Sequence, residues 1–132
     1  MGFFVATLAA CAHKKPQPEP EPAPRYSAAE QALLAQLRND YEQGNYEEIV
    51  RSLENNQLLQ QGGEAFQTQA YRYQAFSYCS LEQAPACRNS FRALLQIDPG
   101  HSLSPAEYTH PIWGPIFAEE SLKVRSSQIR FR

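Results

Sequence analysis

The sequence predicts an all-α domain of short helical hairpins, about two of them followed by a closing helix, and three observations carry that reading. Apolar residues recur with helical spacing, as in Leu33, Leu34, Leu37 and Tyr41 or in Cys87, Phe91, Leu94 and Leu95, which puts each set on one helix face. Chain breakers separate those windows at Gly44-Asn45, Asn55-Asn56, Gly62-Gly63, Gln83-Ala84-Pro85 and Asp98-Pro99-Gly100. Helix-start signals of the capping-box type stand at Ser27 to Glu30 and at Ser104 to Glu107.

The region ahead of these helices has a different composition. An apolar run, Gly2 to Ala10, ends in Leu8-Ala9-Ala10-Cys11, and a polar, proline-rich stretch follows. Small residues before a cysteine suit a signal peptidase that admits an extended chain, and the thiol is the nucleophile that accepts diacylglycerol. Residues 1–10 are therefore expected to be a lipoprotein signal peptide, with Cys11 as the lipidated first residue of the mature chain. A transmembrane helix is excluded by length, because ten residues at ~1.5 Å each cover half of a ~30 Å hydrocarbon core. Signal peptides open with Lys or Arg and Met1-Gly2-Phe3-Phe4 has neither, which leaves a truncated start open. Residues 11–25 carry prolines at 16, 18, 20, 22 and 24 and read as a tether spanning roughly 45 Å as polyproline II. Ala12 is not the aspartate that holds lipoproteins at the inner membrane, so the expected address is the periplasmic face of the outer membrane.

The folded domain is expected over residues 26–125. Ser27 opens a first helix that runs to about Gln43, and Gly44-Asn45 supplies the left-handed turn into a second helix starting near Tyr46. Ile49, Val50 and Leu53 form its apolar face, and Leu58 and Leu59 belong to a ragged last turn. Residues 64–81 carry Phe66, Ala70, Tyr71, Tyr73, Ala75, Phe76 and Tyr78 on more than one face, the pattern of a central helix packed on two sides. Pro85 suits a first helical position of the next helix. Ser104 starts a short helix that must break or kink around Pro111 and Pro115, and Ile116, Phe117 and Val124 mark a closing helix over roughly 115–125. The tail, residues 126–132, alternates Ile129 and Phe131 with Arg130 and Arg132; it reads as a frayed end or as a strand for a partner's sheet edge.

Composition narrows the function. A net charge of −2 carries no basic footprint for nucleic acid. Three cysteines divide into Cys11 and a pair, Cys79 and Cys87, at the end of one helix and the start of the next, where a structural disulfide is expected; two small buried thiols are the alternative. His13, His101 and His110 lack the spacing of a metal site. The chain carries no Gly-x-Ser-x-Gly, no phosphate loop and no His-Glu-x-x-His, and Glu119-Glu120 reads as solvated helix surface. No enzyme activity, no catalytic residue, no small-molecule substrate and no cofactor beyond the lipid on Cys11 are expected. Aromatic residues exceed what two helix pairs bury, and Tyr73 and Trp113 are candidates for a groove that binds a partner segment.

Residues 64–99 resemble a tetratricopeptide repeat: Tyr71, Ala75 and Tyr78, then Cys87, Phe91 and Leu94, then Pro99 follow that family's order of large and small residues. Residues 28–54 match more loosely through Tyr41, Gly44, Tyr46, Ile49 and Leu53. From Gly44 to Gln83 is 39 residues against a family period of about 34, so the loop around 55–63 is enlarged and the residues from Ser104 onward act as a cap. With the lipidation box, the tether and the segment from Asp98 to Pro111, the chain resembles a type VI secretion-associated lipoprotein of the TssQ kind. That resemblance implies a lipid-anchored periplasmic interaction module whose partners are secretion-system or envelope proteins. A pilotin or carrier that assists outer-membrane assembly of another machine is the alternative.

Overall fold

The computed structural model describes residues 2–4 and 25–129. The lipidation box with Cys11, the tether up to Pro24 and the last three residues lie outside the described residues. Those described form seven α-helices and no strand, the all-α class the sequence predicts.

Helix α1 (Ala28–Glu42) begins where Ser27, in extended backbone, accepts a hydrogen bond from the Glu30 amide at 3.1 Å. The reciprocal half of the expected capping box does not form. Glu30 is buried at 9 % exposure, and its carboxylate lies beside Gly63, the N-cap of α4 (Glu64–Ser80), where the helix dipole favours negative charge. Gly44, at φ +74°, turns the chain into α2 (Tyr46–Leu53), with Asn45 N–H donating to Asp40 C=O and Gly44 N–H to Tyr41 C=O. The turn from α4 into α5 (Ala84–Ile97) repeats this pattern: Gln83 N–H donates to Tyr78 C=O and Glu82 N–H to Cys79 C=O. Glu82 takes the left-handed position at φ +61°. The equivalent residues of the two hairpins are thus Gly44 and Glu82, 38 apart, one fewer than Gln83 implies.

Leu58 and Leu59 are not a ragged end of α2. Asn55, at φ +54°, terminates that helix, and Asn56 starts another, α3 (Gln57–Gln61), by accepting the Leu58 amide at 2.9 Å on Oδ1. Its Nδ2 donates back to Ser52 C=O, so one side chain both closes and opens a helix. At the far end, α6 (Pro105–Tyr108) has the full Ser104–Glu107 capping box. Helix α7 (Trp113–Ile129) is longer than expected at both ends. Pro115 falls in its first turn, where amides have no intrahelical acceptor, so no kink results. Residues 126–129 continue that helix instead of fraying or extending as a strand. Gly114 lets α7 start against α6: a Cβ there would sit 2.2 Å from Tyr108 O.

Helix α4 is central, packing on α1, α2, α3, α5 and α7. Its first half gives Phe66 and Ala70 to a core with Leu37, Ile49, Leu53 and Leu59. Its second half gives Ala75, Phe76 and Cys79 to a larger core with Cys87, Phe91, Leu94, Leu95, Leu103, Trp113 and Phe117. Tyr41 and Tyr71 are half-buried against both. No helix of the described residues is long and apolar enough to cross a membrane.

Candidate functional site

The second hairpin brings Cys79 and Cys87 together. Both are fully buried, their Cα atoms are 5.2 Å apart and their sulfurs are at bonding distance. The turn geometry explains the fit: α4 ends one residue after Cys79, α5 begins three before Cys87, and both side chains point into the crossing.

From this hairpin a chain of aromatic contacts runs through the domain. Phe76 stacks on Trp113 with ring centroids 4.3 Å apart and meets Phe91 edge-on, and Phe91 meets Phe117 at 5.3 Å. Trp113 stacks in turn on His110 at 3.3 Å and donates its Nε1–H to Glu107 C=O at 3.0 Å. It is 6 % exposed. The sequence offered Trp113 as a groove residue; its ring is instead consumed by the core, because Phe76 of α4 and His110 stack on it.

Tyr73 is placed differently. It is half-buried, lies edge-on to Tyr41 at 5.7 Å, and carries the Arg72 guanidinium 4.9 Å over its ring. Tyr46 adds a third ring edge-on to Tyr41 at 5.9 Å. Arg72 also forms an ion pair with Glu107 across α4 and α6. Burial favours the protonated Glu107, but the Ser104 amide and hydroxyl and Arg72 outweigh it and lower its pKa. Burial, with Tyr46 and Glu107 nearby, raises the Tyr41 phenol. Tyr41, Tyr46 and Tyr73 with Arg72 therefore make an edge that is aromatic and polar at once, the composition that recognises protein segments.

Glu120 is the residue sequence reasoning placed wrongly. Its side chain is 2 % exposed on the face of α7 that packs on α5, while neighbouring Glu119 is half-exposed. Arg88 Nη1 reaches Glu120 Oε1 at 2.8 Å, Arg92 Nε reaches Oε2 at 3.2 Å, and Lys123 Nζ reaches Oε1 at 3.3 Å. Burial pushes the Glu120 pKa up, yet the hydrogen bonds from Arg88, Arg92 and Lys123 prevail and hold it at about 2. A groove of about 470 Å³ opens beside this cluster, floored by Leu95, Pro99 and Val124. The signal was present in the sequence: Glu120 stands three residues after Phe117 and four before Val124, within an apolar stripe, and Arg88 and Arg92 are one turn apart.

Among the described residues no group of three His, Cys, Asp or Glu side chains is arranged to hold a metal ion. No protein family model matches the chain, and no curated protein or solved structure matches it.

Proposed function

We propose that this chain is a lipid-anchored periplasmic interaction module, an accessory lipoprotein of a type VI secretion system, with its tetratricopeptide-like hairpins held off the outer membrane by the proline-rich tether. The observation that carries the reading is the Cys79–Cys87 pair, because a buried structural disulfide belongs to an oxidising compartment. That compartment is the one to which Leu8-Ala9-Ala10-Cys11 would deliver the chain. Lipid on Cys11 anchors it. The tyrosine edge around Tyr73 and Arg72 is where a partner segment would dock, and no catalytic chemistry is assigned.

The test is crosslinking in intact cells followed by affinity purification of the full-length chain from envelope extracts. Recovery of secretion-system components, reduced by Tyr73→Ala, is the expected result. A chain that brings down no envelope protein ends the proposal. The pilotin alternative differs in one readout, since deleting the gene would then misplace an outer-membrane partner rather than only stop secretion.

A further inference from the structure

Charge is segregated along this chain. Residues 26–64 carry seven acidic and two basic side chains, whereas residues 65–132 carry five acidic and seven basic ones. Each end presents a surface matching the other. On the acidic side, Glu47 and Glu54 flank a groove of about 380 Å³ between α2 and the α4–α5 turn, with Val50 and Leu81 as its apolar lining. The cation in that groove, Arg51, is already paired with Glu48, and no ion pair involves Glu47 or Glu54 among the described residues. On the basic side, Leu122, Arg125 and Ile129 lie three and four residues apart, forming one stripe on the last turns of α7. Leu122 is 65 % and Ile129 74 % exposed, and no ion pair involves Arg125 among the described residues.

The two surfaces cannot meet within one molecule. The groove lies at the Gln83 end of α5, and the last turns of α7 lie at its Pro99 end, where Pro99, Val124, Ser127 and Gln128 border one cleft. A 14-residue helix separates them by about 20 Å. We infer that the α7 stripe of one copy docks in the Glu47–Glu54 groove of a second copy, a head-to-tail contact that leaves a free groove and a free stripe at the ends of every assembly. Leu122 and Ile129 meet Val50 and Leu81, and Arg125 faces Glu47 and Glu54. One helix stripe in one groove is a small interface, so the association is reversible, and its charge pairing weakens with salt.

The test uses the full chain with Cys11→Ser to prevent lipidation, followed by analytical ultracentrifugation at rising protein concentration. At low salt the chain self-associates beyond a dimer, and added salt reverses this. Glu47→Lys with Glu54→Lys, and separately Arg125→Glu, each leave a monomer; all three residues are exposed, and circular dichroism verifies the fold. Mixing the two variants restores association beyond a dimer, because the native stripe of one fits the native groove of the other and the reversed groove accepts the reversed stripe. Reversing all three charges in one chain restores association. A wild-type chain that stays monomeric at low salt overturns the inference, as does association that survives both variants or a mixture that fails to pair.

Discussion

The two hairpins of this domain close with the same backbone turn and reach stability by different means. In α1–α2 the left-handed position is filled by Gly44, which adopts it without strain, and the packing beneath is mainly aliphatic, through Leu37, Ile49 and Leu53. In α4–α5 the equivalent residue is Glu82, whose Cβ disfavours that conformation, and the hairpin is held by a disulfide and by aromatic contacts reaching α7. A favourable turn residue lets the first hairpin stand on ordinary packing. The second tolerates a poor one because its cross-links determine the turn from both sides.

The largest effect is expected where the two hairpins share a residue's neighbourhood. Phe76 touches Tyr41, Phe91 and Trp113, so Phe76→Ala should cost about 3–5 kcal/mol in urea unfolding and loosen both cores together. If only one hairpin loses hydrogen-exchange protection, the cores are less coupled than the aromatic contacts imply.

The Glu120 cluster ties the second hairpin, through Arg88 and Arg92 of α5, to α7 and has no counterpart in the first. Its folded pKa of about 2 lies below the ordinary value of 4.5, so the carboxylate contributes stability that is complete above about pH 4.5 and is lost as pH falls toward 2. That difference corresponds to at most about 3 kcal/mol, part of it screened by water around Arg92 and Lys123. Glu120→Gln should therefore cost about 2 kcal/mol near neutral pH and flatten the acid limb of the stability profile; an unchanged acid limb would assign that limb to other carboxylates.

Cutting the staple comes next. Replacing Cys79 and Cys87 by Ser opens a loop with a sequence separation of 8 and should lower stability by about 2–3 kcal/mol. Urea titrations with and without reductant check this for the native pair.

The smallest effects test the turns themselves. Gly44→Ala should cost about 1 kcal/mol, a conformational penalty only, since nothing lies within 4 Å of the added Cβ. Glu82→Gly should stabilise by up to about 1 kcal/mol. Thermal unfolding of the two variants reads opposite signs if the turns are equivalent.

Much of this was legible in the chain. Breakers at Gly44, Gly62-Gly63 and Asp98-Pro99-Gly100 fall between helices, Pro85 falls in the first turn of α5, and the mixed faces of residues 64–81 correctly marked a central helix, because these signals are local. What escaped depends on partners distant in sequence. Glu120 is buried because Arg88 and Arg92 approach from α5, and Glu30 turns inward because α4 begins beside it. Trp113 looked available in a proline-rich segment, yet Phe76 from α4 and His110 sandwich it. Glu82 could not be recognised as left-handed from its type, since only the disulfide-bearing hairpin around it makes that conformation tolerable.

The functional account rests on the chain's address, and one measurement reaches it most directly: the intact mass of the protein purified from envelope membranes. The account predicts a chain that begins at Cys11, carries a diacylglyceryl-type lipid there, and lacks the thiol hydrogens of Cys79 and Cys87. An unmodified Cys11 with Cys79 and Cys87 reduced would contradict it.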